Sequence, residues 1–265
     1  MCIKQVPDVP SIRVDRQRMT IIREGVESII NPLDRVALEA AMVLRGMEGG
    51  TVTVLTMGPP QSEEALREAI AVGADEAVLL TDPAFAGADT LATSHVIGKA
   101  LSILEPFPDL IVCGMQTIDS DTGHVGPQIA EELDLPQISN VIEIGVEDNR
   151  LLAKRLIDGF IETVRVGFPV LASVTSHICE IKDLSLGAVE KAFSADNVRI
   201  LNMHDLGLKE DEVGLKGSVT RVRKLGVLDQ KRKGDILEGQ PDVLLRGLME
   251  KLNALNLLDE EDGNG

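Results

Sequence analysis

The sequence predicts an α/β fold: a doubly wound, mostly parallel sheet with helices on both faces, antiparallel additions and a C-terminal arm. Three observations carry this expectation. Up to residue 113, short apolar β-branched runs alternate with longer stretches of helical periodicity, the pattern that parallel strands need for their crossovers. Beyond residue 136 the chain reads as strands around an Asp-Asn turn, with no helices between them. The stretch 207–239 is polar, glycine-rich and poorly periodic, and the amphipathic run 241-PDVLLRGLMEKLNALNLL-258 follows it. The expected division is an α/β domain over 1–206 and an arm over 207–265, whose helix suits docking on another surface and packing on its own domain equally well.

Taken in order, strands are expected at 1-MCIKQV-6, 51-TVTVLTM-57, 76-EAVLLT-81 and 109-DLIVC-113. Within 7-PDVPSIRVDRQRMTIIREG-25, two short β-like runs flank a polar turn and predict a hairpin. The motif 31-NPLD-34 starts a helix, with Asn31 as N-cap, Pro32 in the first helical position and Asp34 in the positive first turn. Leu33, Val36, Ala37, Ala40, Ala41 and Leu44 then recur as one buried stripe. A second helix, 62-SEEALREAIAV-72, begins with Glu63 and Glu64 and stops at Gly73; a third, 90-TLATSHVIGKALSIL-104, starts behind Asp89. Antiparallel strands fill 138–166, and 169-PVLASVT-175 is the last apolar strand.

Composition excludes several function classes. The net charge is −17, from 43 acidic against 26 basic residues, which opposes binding to nucleic acid. Aromatic residues make up 2% with no Trp or Tyr, so a bound ring must be held by aliphatic walls and backbone. Cys2, Cys113 and Cys179 are isolated in sequence and form neither a disulfide framework nor a cluster-binding run. With no apolar stretch of membrane-spanning length and no signal-peptide pattern, a cytoplasmic chain without membrane insertion is expected.

Open parallel sheets bind ligands where strand ends lead into helix N-termini. Residues 4–8, 57-MGPPQ-61, 119–127 and 31-NPLD-34 are expected to meet there as one nucleotide cleft. No G-x-G-x-x-G follows the first strand and no Walker motif occurs. In 119-DSDTGHVGPQIAEEL-133, Gly123 and Gly126 allow close backbone approach to a ligand, Thr122 offers a hydroxyl and Pro127 fits the first turn of a helix. Asp119 and Asp121 would repel a phosphate beside them, so they should cap amides or accept ribose hydroxyls. The same stretch also reads as a ligand-free loop leading into a helix. Among the histidines, His95 falls mid-helix as a structural residue and His177 at a surface, while His124 is placed to hydrogen-bond a ligand rather than act as a base. No metal-ligand spacing, nucleophile elbow or catalytic constellation is present.

The ordered motifs 4-KQVPD-8, 31-NPLD-34, 56-TMGPP-60, 73-GADEA-77, 114-GMQTIDSDTGHVGP-127, 135-LPQ-137, 154-KRLIDG-159 and 184-LSLGAVEKA-192 resemble the β subunit of electron transfer flavoprotein. The resemblance spans nearly the whole chain and implies an adenine-nucleotide-hydrolase-like sheet with a C-terminal arm embracing the α subunit. Its housekeeping branch binds AMP in this subunit, whereas its bifurcating branch holds a second FAD. The D-T-x-x-V-G-P form at 121–127, with 158-DGF-160, is similar to the bifurcating branch and implies FAD. By that likeness Cys2, Ile3, Asn31, Pro32, Leu33, Asp34, Met57, Gly58, Asp119, Asp121, Thr122, Gly123, His124, Val125 and Gly126 line the cofactor.

The resemblance further implies NADH as hydride donor, a dehydrogenase or other oxidoreductase as one electron acceptor, and ferredoxin or flavodoxin as the other. It also implies a recognition loop over 184–192, in which Leu186, with Gly187 and Val189, docks on the dehydrogenase. Asp183 and Leu184 replace the usual basic and aromatic or proline residues, and Gly187 replaces a proline, which points away from an ordinary acyl-CoA dehydrogenase. Two other expectations remain: the AMP-binding housekeeping subunit, and an adenine-nucleotide-sensing module. Against a catalytic relative of the latter, 6-VPDVPS-11 is not an S-G-G-x-D-S loop.

Overall fold

The computed structural model describes residues 1–8, 13–15, 20–22, 27–194, 197–223, 234, 236–255 and 257. It forms two compact units, Met1–Lys224 and Leu225–Gly265. In chain order the elements of the first unit are β1 (Gln5–Pro7), β2 (Arg13–Asp15), β3 (Thr20–Ile22), β4 (Ser28–Ile30), α1 (Pro32–Glu48), β5 (Thr53–Met57), α2 (Glu63–Val72), β6 (Glu76–Leu80), α3 (Thr90–Ser102), β7 (Leu110–Gly114), α4 (Val125–Glu132), β8 (Gln137–Glu147), β9 (Arg150–Ile157), β10 (Phe160–Gly167), β11 (Val170–Val174), α5 (Leu186–Ser194), β12 (Val198–Leu201) and α6 (Gly214–Gly217). The second unit carries α7 (Pro241–Ala254), with Asp242 in its first turn, Lys251 in its last and the apolar Val243, Leu245 and Leu248 exposed. Among the described residues no helix is long and apolar enough to cross a membrane.

Two parallel blocks make up the main sheet. One has the order β12-β6-β5, and the other the order β10-β9-β8-β11-β7, with β9 and β10 antiparallel. The first residues of the chain join them. Leu55 N–H donates to Met1 O at 2.8 Å and Ile3 N–H to Leu55 O at 3.0 Å, while Cys2 N–H donates to Val112 O at 2.9 Å. The expected strand over 1–6 is therefore split: residues 1–3 lie in this seam, and Gln5–Pro7 turns away to pair antiparallel with β4. The hairpin expected within 7–25 is present as β2 and β3, paired Arg13 to Ile22, while its turn at 16–19 lies outside the described residues.

Apolar side chains fill both faces of the sheet. On one face Ala37 and Leu38 of α1 pack with Leu66 and Ala69 of α2. On the other, Val96 and Leu101 of α3 pack with Ile129 of α4. Burial on both faces explains why β11 is apolar except at Ser173. Strand β12 was not foreseen, because only Leu201 in its four residues is buried and no alternation marks it. The first unit also runs past residue 206, since Leu206, Leu208 and Val213 pack into the second-face cluster. The β8–β9 and β9–β10 hairpins turn on Asp148-Asn149 and Asp158-Gly159, all with positive φ, as two-residue turns of this type require. Across their strands lie the ion pairs Lys154–Glu143, Arg155–Glu162 and Arg165–Glu147.

Helix α1 starts where expected, with Pro32 at its first position. Asp34, in its first turn, is buried and braces the seam: Oδ2 accepts from Lys4 N–H and Oδ1 from Gly114 N–H, each at 2.9 Å. Burial pushes its carboxyl up to about 7, against the downward pull of the Gly114 and Lys4 amides. A raised folded-state value means that its contribution is fully present below the ordinary 3.8 and is lost as pH climbs to about 7. Asp34→Ala also leaves two buried N–H groups without acceptors, so it should destabilise by about 2–4 kcal/mol near pH 5. The gap to wild type should narrow towards about pH 8. Urea midpoints of the two proteins across this range check the expectation, and a gap that widens with pH contradicts it.

Candidate functional site

The parallel strands end together at one edge, and the loop after β7 crosses it. Asn31 fixes the start of that loop. Its carboxamide is fully buried and makes no capping bond; Oδ1 accepts from Ile118 N–H at 3.1 Å and Nδ2 donates to Gln116 O at 2.9 Å. The expected N-cap role is thus corrected: the residue holds the capping position but straps the 116–118 backbone to α1. Past the strap, Asp121 and Gly123 take positive φ values of 54° and 65°. Asp121 N–H donates to Thr117 O at 2.8 Å, closing the turn that lifts Asp121, Thr122 and His124 to the surface.

Two helix N-termini open on this edge. The first intrahelical bond of α4 is Gln128 N–H to His124 O, and that of α1 is Arg35 N–H to Asn31 O. The amides of Val125 and Gly126, and of Leu33 and Asp34, precede those bonds and have no helical acceptor, while Pro127 and Pro32 carry no N–H. The two helices meet β7 closely. A Cβ on Gly114 would fall 2.6 Å from Asp34 Oδ1 and 2.8 Å from the Leu33 carbonyl carbon. Such an arrangement suits an anion, favoured by both the free amides and the helix dipoles.

Several expected site residues do something else. A Cβ on Gly126 would lie 2.9 Å from Cys113 Sγ and 3.7 Å from Leu171 Cδ2, so this glycine lets α4 press on the sheet. The oxygens of Asp119 hold Lys4 Nζ at 2.8 and 2.7 Å and accept from the Thr117 and Ser120 hydroxyls. The N–H groups of Cys2 and Ile3 are spent inside the sheet, and both side chains are buried. Burial pushes the Cys2 and Cys113 thiols up. Gly58 N–H donates to Leu80 O at 3.0 Å, and a Cβ there would strike Ser62 Oγ at 2.3 Å; Met57 beside it is half-buried. Lys4 was not singled out, although it stands inside the K-Q-V-P-D motif; one lysine at the end of a strand carries no periodic signal.

His95 is structural, as expected, its Nδ1 standing 2.8 Å from Glu132 Oε1 between α3 and α4, and His177 is exposed. The segment expected as a recognition loop is in part a helix, α5, which opens with Leu186 at 88% exposure and Gly187 exposed beside it. Val189 instead lines a hollow of about 240 Å³ together with Ile29, Ala65, Leu184 and Phe193. That hollow adjoins α2 and α5 and does not include the 119–126 loop.

Residues 18–198 match the family model described as electron transfer flavoprotein domain. The chain is 44% identical to the electron transfer flavoprotein subunit beta of Thermoanaerobacterium thermosaccharolyticum, over 97% of this chain and 98% of the relative. It is 40% identical to the caffeyl-CoA reductase-Etf complex subunit CarD of Acetobacterium woodii, over 90% and 91% of the two chains. Against protein FixA of Azorhizobium caulinodans the identity is 44%, over 85% of this chain and 82% of the relative. A family match over most of the chain and end-to-end likeness to β subunits agree: the chain belongs to the electron transfer flavoprotein family, as a β subunit in electron transfer whose partner is an α subunit.

Proposed function

We propose that this β subunit binds FAD at the edge formed by 31–34 and 119–126 and serves electron bifurcation. NADH is the donor, a dehydrogenase reached through the α subunit is one acceptor, and ferredoxin or flavodoxin is the other. FAD supplies hydride and one-electron chemistry when bound; the chain's own residues bind, orient and shield it. The observation that carries this reading is the pair of helix N-termini at the end of β7. A diphosphate can use the free amides of both helices, Leu33 and Asp34 on α1, Val125 and Gly126 on α4, whereas the single phosphate of AMP needs one. Thr122, exposed between them, offers its hydroxyl, and Asp121 is free of the ion pair that engages Asp119, so it suits a ribose hydroxyl. His124 stands at the N-cap of α4 as a further hydrogen-bonding group.

The likeness at 121–127 to the bifurcating branch supports the same assignment, as do the relatives. One of them is named as part of a CoA-thioester reductase complex, and an oxidoreductase of that class is the dehydrogenase partner we infer. Leu186 and Gly187 face outward for that contact, and Val189 backs them. The arm beyond residue 224 docks on the α subunit, and the complex works in the cytoplasm. The housekeeping alternative, with AMP here and FAD only in the α subunit, is tested directly by cofactor content.

Denaturing the purified heterodimer and separating the released cofactors should give two FAD and no AMP; one FAD with one AMP overturns the assignment. Thr122→Val should weaken retention of the second FAD about tenfold, as expected for the loss of one hydrogen bond to a charged group. Thermal stability of the flavin-free chain should stay unchanged, since the side chain is exposed. Equal FAD content after extensive dialysis of variant and wild type would remove Thr122 from the site.

A further inference from the structure

Helix α5 is nine residues long, too short to persist alone, and Ala192 is its buried side chain. Apolar packing beneath it is incomplete, because the 240 Å³ hollow lies between it and α2. Polar clamps hold it instead. At its C-terminal end Arg67 of α2 donates from Nη1 to Ala192 O at 3.0 Å and to Phe193 O at 3.3 Å. The same guanidinium donates from Nε and Nη2 to Glu63 Oε1 at 2.9 and 2.6 Å and lies 5.9 Å from the centre of the Phe193 ring. It satisfies carbonyls that the last turn leaves open and sets a positive charge at the negative helix end.

A second clamp lies upstream. Arg35 and Glu39 of α1 form a buried 2.6 Å ion pair, and both grip the backbone of Lys182: Arg35 Nη2 donates to Lys182 O at 3.1 Å, and Lys182 N–H donates to Glu39 Oε1 at 3.2 Å. Ser185 Oγ accepts from Ala188 N–H at 3.2 Å and closes the first turn. Leu186 therefore projects from a short helix tied down at both ends.

We propose that Arg67 is a positioning residue for partner docking: through the α5 carbonyls it holds Leu186 in its docking orientation before the partner arrives. This rests on the reading of Leu186 as the dehydrogenase contact. Removing the clamp leaves the ordering of α5 to be done at the moment of binding, which weakens association without touching the cofactor. Lysine cannot reproduce a fork that serves two carbonyls and a carboxylate together, so it should restore only part of the effect.

The test compares wild type, Arg67→Gln, Arg67→Lys and Leu186→Ala in the heterodimer. Hydrogen exchange should accelerate at least about tenfold over 188–193 in Arg67→Gln, less in Arg67→Lys, with flavin content unchanged in both. With a purified CoA-thioester reductase that the wild-type heterodimer reduces as the probe, KM should rise about tenfold in Arg67→Gln while kcat holds. Unaltered exchange over 188–193 overturns the proposal. So does faster exchange with unchanged KM where Leu186→Ala raises KM. If Leu186→Ala itself leaves KM unchanged, the docking reading of Leu186 fails instead, and the two failures are told apart.

Discussion

The carboxyl group of Asp34 stands where the first residues of the chain, strand β7 and helix α1 meet, accepting one N–H from Lys4 and one from Gly114. Gly114 carries no side chain because Asp34 Oδ1 would lie 2.6 Å from its Cβ, and Asn31, one helical turn before Asp34, extends the same hold to Gln116 and Ile118. Two polar side chains at one helix start thus decide where a strand ends and in which direction the next loop leaves. The price is a buried acid, tolerated because each oxygen is paired with a backbone amide.

Much of this was legible in the sequence. The alternation of β-branched runs and helical stripes located β5, β6, β7 and the helices α1, α2 and α3 to within a few residues, because sheet and helix each impose a period on burial. The motif 31-NPLD-34 was read as a helix start, correctly, but for a local reason: what Asn31 does depends on a loop 85 residues away, and no local rule carries that distance. Gly126 was read as room for a ligand, while its neighbours are Cys113 and Leu171. A glycine in sequence says that something comes close, not what. The Lys4–Asp119 pair and strand β12 stayed hidden for a similar reason, since a pairing 115 residues apart and a half-exposed edge leave no periodic trace.

Composition and site agree in kind. With no tryptophan or tyrosine and few other aromatic residues, the chain has little with which to stack a ring or donate from a phenol. What it offers at the strand ends is mostly main chain: amides freed at two helix starts and turns held by positive φ at Asp121 and Gly123, beside the exposed hydroxyl of Thr122. Recognition built from backbone depends on the fold being correct to a fraction of an ångström, which is why the strap from Asn31 and the brace from Asp34 lie directly beneath it.

Strand β10 is an outer edge of the sheet, with open backbone groups along one side. Such edges invite copies of the same chain to add on and polymerise. Here the strand spends its charges inward along its own ladder, Glu162 on Arg155 and Arg165 on Glu147, so a second copy sliding alongside would find no unmatched counter-charge and would have to break pairs already made. Among the described residues the edge is guarded by charge, and the guard is strongest in dilute salt: an acidic chain of this kind keeps its copies apart until ions screen it.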